Sequence, residues 1–212
     1  MLPKPVSTIS GQEQTGADPV AMSVDTTQLE GMPETALMTA EELLALNLPD
    51  KRTELIRGRL VVREPAGFRH GGVAARILVA LGSYVFAQRL GEVLAAETGF
   101  TLERNPDTVR APDVAFVRAD RVPNPLPRGF AEMAPDLAVE VLSPDDRPGE
   151  VLSKVGAWLR GGTRLIWVVD PAKRSARIYR ADGSISECRG DDLLDGEDVV
   201  PGFSSPLSAF VD

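Results

Sequence analysis

The spacing of apolar residues divides the chain into three predicted helices and several short strands. Apolar positions recur at helical spacing from residue 70 to about 90, and Gly91 ends that pattern. A second helical pattern ends at Gly161-Gly162, and its stripe consists of Val151, Leu152, Val155, Trp158 and Leu159. Thr39 and Glu42 have the spacing of a capping box, which predicts a short helix over 39–46.

The remaining apolar runs are short and indicate strands. They lie at 54–62, where Arg57-Gly58 makes a tight turn, and at 92–102, 109–117, 136–143, 165–169, 177–180 and 185–189. A proline-rich loop is predicted over 123–135, and an acidic loop over 191–198. Strands interleaved with helices predict an α/β fold, in which a mixed central β-sheet is flanked by helices in one domain.

Composition separates the two ends of the chain from its body. Residues 1–37 are rich in Ser, Thr, Gly, Pro and Gln without sustained periodicity, so we expect a disordered or loosely ordered tail before a domain over 38–212. The apolar runs are far shorter than a membrane span, and we expect no membrane partner. The single cysteine, Cys188, cannot form an internal disulfide, which is typical of a reducing cytoplasm.

The net charge of −8 argues against a nucleic-acid partner only until its distribution is considered. Residues 39–186 contain 21 basic and 19 acidic residues, so the body carries a balance of +2. Most of its positive charge is arginine, which suits phosphate contacts. A nucleic-acid partner is therefore compatible with the sequence.

One carboxylate lies in the middle of an apolar strand. Alternation along 136–143 places Ala138, Glu140 and Leu142 on one face. An ionised carboxylate in such surroundings is costly unless a cation or a hydrogen-bond donor meets it. Glu140 therefore predicts a charged partner, and we expect that partner to be a divalent metal ion.

Two further residues have the chemistry to join Glu140. Asp113 follows Pro112 in the apolar run 109–117, and two close carboxylates favour a hard cation such as Mg²⁺ between them. At about 100° per residue, Lys154 falls roughly 40° outside the Trp158 edge of its helical stripe, from where it could reach over the sheet. Glu54 is a candidate fourth acid.

Each residue also has an ordinary structural interpretation. Asp113 after a proline is typical of a turn, Lys154 of a side chain that snorkels to water, and His70 of a polar helix start. At the level of function, a metal-dependent hydrolase competes with a catalytically silent binding module and with a glycosidase that uses paired carboxylates. The low aromatic content of 5% disfavours the glycosidase, because sugar platforms are usually aromatic.

Pro112-Asp113, Glu140 in its apolar strand and a following lysine resemble the PD-(D/E)XK nuclease superfamily. More narrowly, residues 38–211 resemble the Uma-two family of restriction-endonuclease-like proteins. The motifs that carry this resemblance are Thr39-Ala-Glu-Glu-Leu, Glu54-Leu-Ile-Arg-Gly, Ala111-Pro-Asp-Val-Ala-Phe-Val117, Leu137-Ala-Val-Glu-Val-Leu-Ser-Pro144, Lys154 and Trp167-Val-Val-Asp-Pro171.

The resemblance implies a restriction-endonuclease-like core and an endonuclease that acts on DNA. In it, Asp113 and Glu140 hold Mg²⁺ or Mn²⁺, and Lys154 takes the role of the superfamily lysine, because Leu142 stands where the pattern expects that lysine. Glu54 matches an additional acid of the family, and His70 matches an accessory histidine before the long helix. Family members tend to be homodimers, which implies the same for this chain.

Overall fold

The computed structural model describes residues 37–46, 48–49 and 51–212. All of these residues fall in one compact unit. The tail predicted over 1–37 lies outside the described residues, apart from Leu37.

Two of the helices cover the main sheet. The helices are α1 (Ala40–Ala45), α2 (Phe68–Gln88), α3 (Pro148–Gly161) and α4 (Ser208–Val211), with a 3₁₀ turn at Ala119–Arg121. The strands are β1 (Arg52–Ile56), β2 (Arg59–Arg63), β3 (Gly91–Ala95), β4 (Phe100–Glu103), β5 (Thr108–Arg110), β6 (Val114–Arg118), β7 (Leu137–Val141), β8 (Leu165–Asp170), β9 (Ser175–Arg180), β10 (Ile185–Arg189), β11 (Leu193–Asp195) and β12 (Ser204–Pro206). The capping box at Thr39 and Glu42 starts α1 as predicted.

The main sheet has six strands in the order β10-β9-β8-β7-β6-β3. Its pair β7–β8 is parallel, and α3 provides the crossover that a parallel pair requires. The other pairs are antiparallel. Helix α2 packs on one face of this sheet and α3 on the other. The predicted α/β fold with a mixed sheet flanked by helices is thus confirmed.

Alternation along β7 assigns its side chains to two separate cores. Leu137, Val139 and Val141 face α2, whereas Ala138 packs with Trp158 of α3 on the opposite face. Glu140 shares the parity of Ala138 and therefore points to the α3 side of the sheet.

A second, four-stranded antiparallel sheet has the order β2-β1-β5-β4. The predicted continuous strand over 109–117 is wrong, because it splits into β5 in this sheet and β6 in the main sheet. Proline has no N–H for a strand ladder, and the chain changes sheets at Pro112. Asp113 consequently lies at the junction before β6, not inside a strand.

Helix α2 ends before Gly91, because Arg89 takes the left-handed conformation with φ 55°. Among the described helices, α2 is long and apolar enough, with a mean hydropathy of 1.3, to cross a membrane by length and composition alone. The core helix of a soluble protein passes the same test, and α2 buries Val73, Ile77, Leu81 and Val85. The absence of a membrane partner stays a prediction.

Two smaller predictions need correction. Leu152 was expected in the stripe of α3 but is 55% exposed, because the packed face is centred on Val155 and Trp158. The predicted acidic loop over 191–198 contains β11, which pairs with β12.

Candidate active site

Adjacent strands bring Asp113 and Glu140 to the same part of the main sheet. Strands β6 and β7 are antiparallel neighbours, with Val114 opposite Val139. The backbone N–H of Asp113 continues this ladder and donates to the carbonyl of Val139 at 3.0 Å. Both carboxylates are buried, with Asp113 7% and Glu140 6% exposed.

Lys154 reaches Glu140 from the helix that covers this face. Its Nζ lies 2.7 Å from Oε2 of Glu140, 3.2 Å from the carbonyl oxygen of Ala111 and 3.4 Å from Oε1 of Glu54. Burial acts to lower the pKa of Lys154, but the surrounding carboxylates outweigh burial and raise that pKa above its ordinary value. Lys154 is therefore a cation shared between two buried acids.

Glu54 is fixed by groups other than Lys154. Its Oε2 accepts a hydrogen bond from Arg110 at 2.9 Å, and its Oε1 accepts one from the backbone N–H of Ala111 at 3.1 Å. Burial acts to raise the pKa of Glu54, whereas Lys154 and Arg110 together hold that pKa below its ordinary value. Glu54 is thus an ionised carboxylate whose two oxygens are already occupied by the protein.

His70 and the β7 backbone orient Asp113. The carboxylate accepts hydrogen bonds from Nε2 of His70 at 2.9 Å and from the backbone N–H of Val141 at 2.7 Å. Because an ionised carboxylate can only accept, Nε2 of His70 carries a proton, and Nδ1 shares a hydrogen bond of 3.1 Å with the Ser143 hydroxyl. Burial raises the pKa of Asp113, but the His70 hydrogen bond and Lys154 outweigh it, so that pKa lies below its usual range.

Glu140 is the acid that lacks full compensation. Burial raises the pKa of Glu140 to about 7, Lys154 acts against this increase, and the carboxylates of Asp113 and Glu54 add to it. Arg52 lies 3.8 Å from Asp113, and the exposed Glu97 lines the same cleft. Four acids thus face the three cations Lys154, Arg110 and Arg52, which leaves an excess of negative charge. A bound cation would relieve this repulsion.

The donor set fits a hard divalent cation. No group of three or more His, Cys, Asp or Glu side chains within the described part of the chain is arranged as a metal cluster. Mg²⁺, however, commonly binds through one or two carboxylates and completes its shell with water and substrate phosphate. Two buried carboxylates with a surplus of negative charge meet that requirement.

Comparison with known proteins places this chain in a family. Residues 40–209 match the Uma2 (Uma-two) family, described as "Putative restriction endonuclease". The chain belongs to this family. Among solved structures, the Uma2 chain is similar to one titled as a putative nuclease belonging to DUF820 from Anabaena variabilis, with a TM-score of 0.72. The two chains are 23% identical over 82% of this chain and 97% of the other, which shows a shared fold. A search of curated proteins found no match.

Four residues around the site of this Uma2 protein were not anticipated from the sequence. Trp158 donates from Nε1 to Oε1 of Glu140 at 2.7 Å, although its position in an apolar stripe indicated only core packing. Its spacing of four residues from Lys154, one helical turn, is the signal that could have shown it. The other three, Arg52, Glu97 and Arg110, come from β1, the β3–β4 connection and β5, and no local pattern connects them.

Proposed function

We propose that this Uma2 protein is a metal-dependent endonuclease that hydrolyses phosphodiester bonds in DNA. The observation that carries the proposal is that Lys154 contacts the buried Glu140 and lines the same cleft as the buried Asp113. In support, Lys154 contacts Glu140 from α3, the element that follows β7. The ammonium of Lys154 thereby takes the place of the lysine that the superfamily pattern expects at Leu142.

Asp113 and Glu140 would hold Mg²⁺ or Mn²⁺. When bound there, the ion supplies a Lewis acid that stabilises negative charge on the phosphate and lowers the pKa of a water molecule. Lys154 would orient the attacking water and add positive charge at the reacting phosphate. No side-chain nucleophile is required in this scheme.

The remaining two candidates act on these residues. Because Arg110 and Lys154 already compensate the charge of Glu54 and hold its pKa below the ordinary value, we assign Glu54 to positioning Lys154 and not to the metal shell. His70 fixes the orientation of Asp113 through its Nε2–H, the type of support that metal-binding and catalytic carboxylates need to keep their geometry.

The proposal is tested by nicking of supercoiled plasmid DNA in Mn²⁺ or Mg²⁺, with EDTA as the metal-free control. We expect Asp113→Asn and Glu140→Gln to lower the nicking rate by at least about 100-fold, because each removes a charged ligand while keeping the side-chain volume. Circular dichroism and the melting temperature check that both variants are folded. Wild-type protein that neither binds Mn²⁺ in calorimetry nor nicks DNA would refute the proposal.

A catalytically silent nucleic-acid-binding or protein-binding module is the competing function. It is favoured by one observation, since both oxygens of Glu140 already accept hydrogen bonds from Lys154 and Trp158. DNA binding that weakens steeply with salt, without cleavage in any metal, would select this alternative.

We also propose that the protein is a cytoplasmic homodimer. The exposed apolar side chains of α2 support a self-association surface, because Phe68 is 100%, Val79 65% and Phe86 55% exposed along one helix. Sedimentation equilibrium of the full chain should give twice the monomer mass, and Val79→Glu should return the monomer. A wild-type monomer at tens of micromolar protein would contradict the dimer.

A further inference from the structure

Two arginines lie side by side at the mouth of the candidate active site. Strands β1 and β2 pair antiparallel, and their register sets Arg52 directly opposite Arg63. Both side chains line the same cleft as Glu54, Asp113 and Lys154. They are partly open to solvent, with 29% and 35% of the side chain exposed. We refer to Arg52 and Arg63 together as the arginine pair.

Like charges directly opposite each other across a strand pair are destabilising. The arginine pair therefore needs compensating negative charge, and the nearby carboxylates provide it only loosely. Arg52 is 3.8 Å from Asp113 and 3.9 Å from Glu97, and Arg63 is 3.8 Å from Asp146 and 3.3 Å from Glu150. Tight charge-assisted arginine–carboxylate pairs are about 2.7–2.9 Å long.

The hydrogen-bonding groups of Arg52 are largely unused among the described residues. Its Nε donates to the carbonyl oxygen of Glu64 at 3.2 Å, and neither Nη atom donates a hydrogen bond within that part of the chain. Arg110 is the contrast in the same site, because its Nη1 is buried against Glu54 at 2.9 Å. Arg52 is thus held through Nε, while its guanidinium lines the cleft with both Nη groups available.

We propose that the arginine pair binds the phosphodiester backbone of the substrate. This inference rests on the proposed function and names the residues that hold the DNA. Arg52, next to Asp113, contacts the phosphate at the reacting centre, and Arg63 contacts the neighbouring phosphate on the same strand. A planar guanidinium with parallel N–H groups matches two phosphate oxygens, so phosphate replaces the loose carboxylate contacts of both arginines.

The test is binding of a fluorescein-labelled 20-base-pair DNA duplex, followed by anisotropy in EDTA so that no cleavage occurs. Wild type is compared with Arg52→Ala, Arg63→Ala and the control Arg118→Ala, which removes an exposed arginine at the end of β6 opposite to Asp113. Each cleft variant should bind more weakly than wild type. Its negative slope of log K against log salt should be shallower by about 0.9, the value for one lost phosphate contact. Between 50 and 200 mM salt, the affinity gap to wild type should therefore shrink about 3-fold.

Arg52→Gln and Arg63→Gln repeat the measurement with a side chain of similar length, in case truncation to alanine lowers the melting temperature. An unchanged slope in both cleft variants, an equal loss in Arg118→Ala, or no duplex binding by wild type at 50 mM salt would overturn the inference. The nicking assay separates the two proposals. If wild type nicks DNA but the salt slopes of the cleft variants are unchanged, the nuclease proposal stands and phosphate binding by the arginine pair is rejected. If the slopes change but wild type does not nick DNA, phosphate binding stands and the nuclease proposal is rejected.

Discussion

Replacing Lys154 by methionine should show how much the ammonium between Glu140 and Glu54 contributes to the free energy of unfolding. Lys154→Met keeps most of the side-chain volume but leaves Glu140 and Glu54 without the ammonium that lies 2.7 and 3.4 Å away. Removing one partner of a buried ion pair typically costs about 3–5 kcal/mol. Because Lys154 remains 20% exposed, we expect a loss near the lower end, about 3 kcal/mol.

A double-mutant cycle isolates the contact between the two side chains. Glu140→Gln alone should cost about 1 kcal/mol, since Lys154 keeps Glu54 and the Ala111 carbonyl and a buried charge disappears. The double variant should lose about 2 kcal/mol, less than the sum of the single losses, because it no longer buries an unpaired carboxylate at this position. The coupling energy is then about 2 kcal/mol.

The assay is urea unfolding in EDTA at pH 8.5, where a Glu140 with a pKa of about 7 is ionised. Fluorescence and circular dichroism should give coincident transitions, as a two-state interpretation requires. Lys173→Met is the matched control, because Lys173 is 77% exposed and its pair with Asp170 lies at the surface. It should change stability by less than about 1 kcal/mol. Single losses that add within about 0.5 kcal/mol would refute the proposed buried contact.

Two further variants test the frame around the site. Burial acts to raise the pKa of Asp107, but hydrogen bonds from Ala40, Asn105 and Arg104 outweigh burial and hold that pKa below its usual value. The ionised form of Asp107 therefore stabilises the fold at neutral pH, and this contribution is lost as pH falls through the folded-state pKa. Asp107→Asn should cost about 2 kcal/mol in urea unfolding at pH 7 and progressively less in acid. A loss of stability that does not change with pH would contradict this prediction. Gly91→Ala should cost about 3 kcal/mol, because φ is 154° and the new Cβ would lie 2.0 Å from the Val117 carbonyl oxygen, whereas Gly149→Ala, with open space around it, should be neutral or slightly stabilising.

The sequence predicted the position of Glu140 well because alternation is a local property. Once 136–143 forms a strand, the face of each side chain follows, and β7 has the predicted faces. The location of Lys154 also followed from helical geometry, since the edge of the buried stripe of α3 lies over the sheet. These inferences needed only the period of one element.

The rest of the site depends on contacts between distant segments. Arg110 approaches Glu54 because β5 pairs with β1, a register that neither strand reveals by itself. Asp113 was expected inside a strand, because an apolar run does not show that the chain passes from one sheet to another at Pro112. Trp158 was assigned to the core, which is where it lies, but its indole N–H could be recognised as a partner of Glu140 only from the packing of α3 on β7.

The central claim is that Asp113 and Glu140 hold a divalent ion beside Lys154. Anomalous diffraction from crystals of the full chain soaked in Mn²⁺ tests it most directly. We predict one strong peak within about 2.3 Å of a carboxylate oxygen of both Asp113 and Glu140, on the side of the Lys154 ammonium. Crystals with no peak there, or with manganese bound only at other acids of the chain, would contradict the account.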